Sequence, residues 1–598
     1  MNLQRWLLWL VVVAVAVAGS GALDGYAVHT LDVALIFAIL AVGLSLTQGV
    51  AGQINLAQVA VFGISGYTTA VLTTTFHWDF WATLPVSVLL ALAAGLLLGL
   101  PALRMQSHYL GIVTLGLAIA FSSFAANAPL LGGAAGISNI PSPGLLGISF
   151  NTDHQYFYLL LGALVLGLLY ADFIRGSGLG LRLRAMRDDH VAAAAIGIHV
   201  AAMRVAAFAF GALFAGLAGN LYAGLIGYVS PDTFSIFVMF ELLAMMMIGG
   251  RQSIYGSAAG AILVIVAQSL LINFQNYAQL GYGVLQVAVV VAAPMGLAGL
   301  AYRTWRLART RHASGTTVQI APYAGRLAQA DPVAAIDGTV IGVTGLSKRF
   351  GALRALDDVT LDIHGGVIQG IVGPNGSGKT TLFNVLTGLY RADGGTVTVL
   401  GVNVLRRRPD QLSQIGVART FQNVRLFRSL SVLENTQVGI RRSGRLWEYA
   451  VAPWRGAARD REARRKALEI LDGLGLSAVA KQLPGELPYG LQRRVEIARA
   501  LAGEPRLLLL DEPAAGLNGD EVRELGDILR DVRRVGVNVV LIEHNMSLVM
   551  SLCDRVAVLN FGQLLIESEP AIVSHDPAVV EAYLGRRAAV AGAPVTVG

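Results

Sequence analysis

"IVGPNGSGKTT" (residues 371–381) decides how the second half of this 598-residue chain folds. From Gly373 to Thr380 it fits G-x-x-x-x-G-K-[ST], a strand-like run entering a glycine-rich loop that opens a helix. Backbone N–H groups of such a loop cradle phosphates. Gly373, Pro374, Asn375, Gly376, Ser377, Gly378, Lys379, Thr380 and Thr381 are therefore the candidate nucleotide-binding residues. Lys379 is placed to reach the β- and γ-phosphates, and the Thr380 hydroxyl to ligate Mg²⁺. A loose match arises by chance, so the complementary acid matters. "LLLLDEP" (507–513) supplies it: an apolar strand ends in Asp511, a carboxylate for Mg²⁺ or its waters. Glu512 follows at the strand tip, where a carboxylate can activate an attacking water. The pair of motifs reads as nucleotide hydrolysis with ATP and Mg²⁺.

The surrounding text is divided. Residues 1–301 hold 8 arginines and 9 acids, and no lysine appears before Lys348. A mean hydropathy of +0.59 and a pI near 9.5 are unusual for a soluble protein. One half is lipid-soluble in composition, whereas the other is that of an ordinary soluble domain. Basic residues there alternate with acids as on a solvated face, so nothing calls for nucleic acid. The single cysteine, Cys553, excludes an intramolecular disulfide and suits a reducing compartment.

A helix needs roughly 20 apolar residues to cross the hydrocarbon core. Candidate spans fall near 6–22, 31–47, 57–74, 82–100, 109–127, 156–174, 203–225, 235–249, 254–273 and 283–301, the eighth short enough to be broken or re-entrant. An arginine-bearing island lies at 175–204. If it is cytoplasmic, alternation puts Arg5, Arg104, Arg251 and the run Arg303–Arg311 on the same side. Loops such as "HWDFW" (77–81) and "NTDHQ" (151–155) then face outward without arginine. The first span also has the pattern of a signal peptide, whose cleavage would leave nine spans.

Within the spans, Gly216, Gly219 and Ala223 of "GALFAGLAGNLYAGLIG" suit close helix packing. Gln53 and Asn55 in "GVAGQINLAQ" and Glu241 in "FELLAMMMIGG" are candidates for a polar pathway, because polar groups are costly in lipid. A plain turn is the alternative for the first two, and pairing with a neighbouring helix for the third. After the basic run, 312–338 is small, polar and aperiodic, a linker. From 339 strand-like "ALDDVTLDI" and "GGVIQGIVG" alternate with amphipathic "RRKALEILDGLGL" and "LQRRVEIARALAG".

At this point the chain resembles the ATP-binding cassette (ABC) family along its whole length. Phe350 of "LSKRFG" matches the aromatic that stacks on adenine, and Gln422 of "RTFQNVRLF" the Q-loop glutamine, a further Mg²⁺ contact. "LPYGL", Leu487, Pro488, Tyr489, Gly490 and Leu491, matches the signature motif. The D-loop falls on "AAGLN" with Gly516, Leu517 and Asn518, and the switch histidine on His544, a γ-phosphate ligand that accompanies the catalytic base Glu512. "RTFQNVRLF", "YGLQRRVEIARAL" and "DEPAAGLN" resemble LivG-like ATPases of branched-chain amino-acid importers. "GVAGQINLAQVAVFGISGYTTA", "RLRAMRDDHVAAAAIGI", "GLAGNLYAGLIGYVSPDTFS" and "FELLAMMMIGG" resemble LivM-like permeases.

The resemblance implies a multi-domain chain: a polytopic α-helical membrane domain of about ten spans (1–302), a basic stop-transfer and linker (303–338), an α/β P-loop ABC ATPase domain (339–586) and a tail (587–598). It implies a bacterial cytoplasmic (inner) membrane location with both termini and the ATPase inside. Implied partners are a LivH-like second permease, an extracytoplasmic binding protein, membrane lipid, and a second ATPase, either LivF-like or another copy. An exporter half-transporter is the alternative, disfavoured by compact spans and a single short coupling segment. That segment falls on Arg182, Arg184, Arg187, Asp188 and Asp189, the arginines expected to meet acids in a cassette groove. Enforcing topology is their simpler role. Pro488 stands where such signatures carry a serine. Proline suits a first helical turn but lacks the hydroxyl, so the expectation is a weakened ATP site opposite this signature and a heterodimer.

Overall fold

The computed structural model describes residues 17–271 apart from 18, 22, 104, 106, 146–147 and 151; positions 283, 284, 287, 291, 296–300, 323 and 325; and 338–584 apart from 442–447 and 450–452. Two compact units divide the chain: Met1–Leu183 with Ala201–Thr316, and Arg184–Val200 with Thr317–Gly598.

The first unit is helical. Helix α1 (Gly25–Leu44) begins where the Asp24 carboxylate accepts the Ala27 N–H at 3.0 Å, and continues through a π-helical turn to Val50. An extended stretch leads to α2 (Gln58–Thr74). Asp79 then caps α3 (Phe80–Ala102), accepting from Trp81 N at 2.9 Å. Helices α4 (Ser107–Asn127) and α5 (Asp153–Gly176) follow, with Thr152 capping the latter. After α6 (Gly178–Asp188) and α7 (His190–Ala195) come α8 (Val200–Ile226), α9 (Ile236–Gly249) and α10 (Ile254–Leu271). Asp24 and Asp79 thus satisfy helix N-termini. Arg204 does the converse, donating to Ala102 O at 2.8 Å at the C-terminal end of α3.

Among the described residues five helices are long and apolar enough to cross a membrane: Gly25–Val50, Phe80–Ala102, Tyr109–Asn127, Asp153–Gly176 and Val200–Ile226. The described residues thus support five of the ten expected spans. α2 has 17 residues and α9 only 14, a rise of about 21 Å for the latter at ~1.5 Å per residue. That is short of a ~30 Å hydrocarbon core. Helix α9 starts after the Pro231–Phe234 turn and stops at Gly250, whose φ of 114° ends the helix. Expected spans 6–22 and 283–301, with Arg5, Arg104 and Arg303–Arg311, lie largely or wholly outside the described residues. The small residues serve packing. A Cβ on Gly219 would sit 2.3 Å from Phe62 O, and Ser65 on α2 donates to Gly216 O on α8 at 2.5 Å.

The second unit carries an α/β core. Strands β1 (Thr339–Phe350), β2 (Leu353–His364) and β4 (Gly394–Val399) form an antiparallel sheet in the order β2-β1-β4, edged by the pair Val402–Asn403. β3 (Ile368–Val372) leads into α11 (Lys379–Leu386). Then come α12 (Pro409–Ile415), β5 (Val417–Arg419), α13 (Val432–Gly439), α14 (Pro453–Gly473) and α15 (Tyr489–Leu501). β6 (Leu507–Asp511), α16 (Gly519–Arg534), β7 (Asn538–Ile542), α17 (Met546–Leu552), β8 (Arg555–Asn560) and β9 (Gln563–Ser568) complete it. The six-stranded sheet runs β5-β6-β7-β3-β8-β9, parallel except for β8–β9. β3, β6 and β7 are buried throughout, as their near-continuous apolar runs require. Tyr323 of the linker donates to Asp531 on α16 at 2.8 Å, fixing one point of the connection onto this unit.

Candidate functional site

Strand order explains why distant motifs meet. In the order β5-β6-β7-β3, the carboxyl ends carry in turn Gln422, then Asp511 with Glu512, then His544, then the Gly373–Thr381 loop. Ligand crevices of open α/β sheets form outside those ends.

Lys379 is held over its loop, donating to Gly373 O at 2.7 Å and Pro374 O at 2.9 Å. Burial lowers its ammonium pKa, with Glu512 and Asp511 opposing. Asp511 is 2% exposed. Its Oδ2 accepts from Arg419 at 3.1 Å, while Oδ1 has no hydrogen-bond partner among the described residues. Burial raises this carboxyl above the ordinary value, and Arg419 opposes the rise. A buried carboxylate oxygen without a hydrogen-bond partner fits a divalent cation, which takes hard oxygen ligands. The amide of Gln422 donates to Glu512 Oε2 at 2.8 Å, and His544 Nδ1 lies 3.7 Å from the same oxygen. Glutamine, glutamate and histidine therefore converge on one point. Phe350 and Tyr390 pair with ring centroids 5.3 Å apart, and both are exposed, as a base-stacking surface needs.

Several supporting residues carry no motif of their own. Arg493 on α15, 1% exposed, donates to Phe421 O and Gln422 O at 2.8 Å and to Glu512 O at 3.2 Å. It ties the backbone of Phe421–Gln422 to that of Glu512. Glu543 accepts the N–H groups of Ala514 (2.7 Å), His544 (3.1 Å) and Asn545 (3.3 Å), linking the "AAGLN" turn to the histidine. Both residue types were visible, but their partners are long-range in sequence. Asn518 accepts from Asp520 N and Glu521 N at 3.0 Å as the cap of α16. Pro488 takes the N-cap place of α15 with no side-chain hydrogen bond, and Tyr489 packs beside Gly516. Leu487 and Leu491 are buried around it; Leu517 packs against the same core. Gly490 lies beside Glu521.

The island supplies a second element within this unit. Arg184 donates to Glu434 at 2.9 Å, Asp188 accepts the Ser429 N–H at 2.7 Å, and Asp189 Oδ2 accepts from Arg425 at 2.8 Å. Asp189 Oδ1 simultaneously caps α7 through Val191 N and Ala192 N at 2.9 Å. Arg187 bonds Asp188 of its own segment. The aspartates thus carry two of these three contacts, where the arginines had been expected to dominate. Gly197 closes the segment with φ +90°, and a Cβ there would meet Ser413 Oγ at 3.0 Å. Arg182 belongs to the other compact unit.

In the helical unit, Asn55 is buried, its amide donating to Gln58 at 2.8 Å, while Gln58 donates to Gly211 O at 2.9 Å. Gln53 donates to Ala51 O at 3.2 Å. Glu241 on α9 accepts from Gln268 on α10 at 2.6 Å. Asp32 on α1 was not singled out in the sequence. It is fully buried, and neither carboxylate oxygen has a hydrogen-bond partner among the described residues.

A family model described as the permease component of branched-chain amino acid transport systems matches residues 26–294, and one described as ABC transporter matches 356–515. The LivG ATP-binding protein of Salmonella typhimurium (strain LT2) is 40% identical over 249 residues, 41% of this chain and 98% of its own length. The chain belongs to the ABC transporter family. It joins a branched-chain-type permease component to an ABC ATPase on one polypeptide. The Escherichia coli K12 LivG protein is likewise 40% identical over 250 residues, and the BraF protein of Pseudomonas aeruginosa 41% over 249, each with 98% of its length covered. A solved ATP-binding cassette of an ABC transporter in its ADP conformation is 32% identical over 41% of this chain and 99% of its own, with a TM-score of 0.36.

Proposed function

We propose that this ABC transporter chain is the permease-plus-ATPase subunit of an importer that takes up branched-chain or related amino acids presented by an extracytoplasmic binding protein. The permease match over 26–294, followed in the same chain by the LivG-like cassette, carries the reading. It supports import rather than the exporter alternative. Its seat is the bacterial inner membrane, with the cassette and both termini on the cytoplasmic side. A LivH-like permease and a second ATPase complete the assembly.

ATP lies with its base at Phe350 and its phosphates on Gly373–Thr381, where Lys379 offsets the charge that accumulates on the γ-phosphate. Thr380, Gln422 and Asp511 would hold Mg²⁺, which neutralises phosphate charge when bound. Glu512 accepts the proton of the attacking water and His544 contacts the γ-phosphate. Glu543 and Arg493 hold those two groups in register through the backbone. Two cassettes closing on two ATPs place each signature against the partner's phosphates. Pro488 offers no hydroxyl there, and losing a charge-assisted hydrogen bond costs roughly 1.5–3 kcal/mol. This supports pairing with a LivF-like ATPase bearing an intact signature. Domain boundaries at 302, 338 and 586 follow the change from apolar spans to linker to α/β core.

The test is uptake into proteoliposomes holding this chain, its companion permease and ATPase, and the binding protein loaded with labelled leucine. ATP-dependent accumulation is expected, abolished by Glu512→Gln while ATP binding persists. Efflux, or uptake indifferent to the binding protein, would contradict the importer reading.

A further inference from the structure

Arg419 is 6% exposed, yet its guanidinium serves three parts of the ATP site at once. Nη2 donates to Asp511 Oδ2 at 3.1 Å, and Nη1 donates to Asn384 Oδ1 and Thr387 Oγ1, both at 2.7 Å, at the end of the helix that opens with Lys379. The same group lies 5.1 Å from the centroid of Phe421, the neighbour of Gln422. Fork geometry and stacking of this kind are specific to arginine. Around this side chain, Arg419 and Ser413 line two small cavities whose walls include Ala195, the last residue of α7; Ile196 joins one of them. The docked end of the island therefore stands beside the group that bonds the Asp511 carboxylate.

We infer that Arg419 is a positioning residue through which the seating of Ala195–Ile196 is felt at Asp511. When that end packs fully, the cavity wall holds the guanidinium against Asn384, Thr387 and Phe421, and Asp511 keeps Oδ1 unshared for the cation. When it withdraws, the fork gains room to rotate and the carboxylate loses its fixed aim. The inference deepens the ATP-site reading above and rests on it. Adjacency alone does not establish coupling, so the test is a double-mutant cycle.

The full chain in its assembly, carrying Glu512→Gln to prevent hydrolysis, is titrated with a fluorescent ATP analogue at graded Mg²⁺ and also in EDTA. Arg419→Lys keeps the charge but not the fork. It is expected to raise the Mg²⁺ concentration for half-maximal tightening about tenfold while leaving EDTA binding within about twofold. Ala195→Trp, which crowds the cavity wall that Arg419 also lines, is expected to raise it about threefold alone, and less than about 1.5-fold on the Arg419→Lys background. The same factor in both backgrounds, or no effect of Ala195→Trp, overturns the inference. Ile196→Ala, a milder change, is expected to show the same dependence on background, and a background-independent effect counts equally against it. Loss of EDTA binding in Lys379→Ala tests the ATP site separately, so the two failures are distinguishable.

Discussion

At the residue scale the ATP site is a set of side chains each fixed by a second group. Lys379 bonds two loop carbonyls, Asp511 is held by Arg419, and Glu512 is met by Gln422. Removing the ammonium should weaken ATP-analogue binding by about 10–100-fold, since charge-assisted hydrogen bonds contribute roughly 1.5–3 kcal/mol. Equilibrium titration of Lys379→Ala measures it, and an unchanged affinity would remove the lysine from the site. Cys553 gives an independent check on the core. It is 8% exposed, and burial pushes its thiol up to about 12, with Asp554 and Glu543 adding to the effect. At pH 7.5 the folded protein should therefore resist maleimide, and take up one equivalent only after denaturation. Rapid labelling of the native chain would mean that strand β3 and helix α17 do not pack around it as described.

At the scale of elements, the segment Arg184–Val200 shows what a sequence does and does not display. Its charges, its alanine body and its glycine stop were legible, because helix and cap chemistry are local. Its partners were not: Glu434 lies 250 residues from Arg184, and Arg425 lies 236 from Asp189. The same limit hid Arg419, Arg493 and Glu543, whose roles exist only once the β5-β6-β7 order brings them together. Motif residues were legible for the opposite reason, since the strand–loop–helix chemistry around Lys379 is contiguous. The Gly197 turn yields a prediction at this scale. Its φ of +90° is strained for any side chain, and Ser413 Oγ stands 3.0 Å from where a Cβ would be. Gly197→Ala should cost about 1–2 kcal/mol of local stability. Hydrogen exchange of Val191–Ile196 amides measures this as faster opening, and unchanged protection would show that the turn bears no such constraint.

At the scale of the whole molecule, the fused chain sets permease and cassette in fixed one-to-one stoichiometry. Membrane helices were legible wherever about 20 apolar residues run together. Where glycine and proline cut the run, as around Pro231 and Gly250, the helix is shorter, and the eighth candidate span, expected to be short, is the 14-residue α9. On the proposed pairing of cassettes, Pro488→Ser should raise the ATPase rate of the assembled transporter by about threefold or more, because it would restore a hydroxyl opposite the partner's γ-phosphate. An unchanged rate would indicate that the opposite site works without it.

The proposed importer needs Arg184–Val200 to carry cassette motion by seating on the cassette, and the measurement that bears most directly on this is uptake per ATP hydrolysed in a charge-swap series. Partly exposed ion pairs contribute at most about 1 kcal/mol, so Arg184→Glu and Glu434→Arg should each lower the ratio several-fold without abolishing hydrolysis. Combined in one chain, the two reversals should restore it to near the parental value. A double variant no better than either single one would contradict the docking.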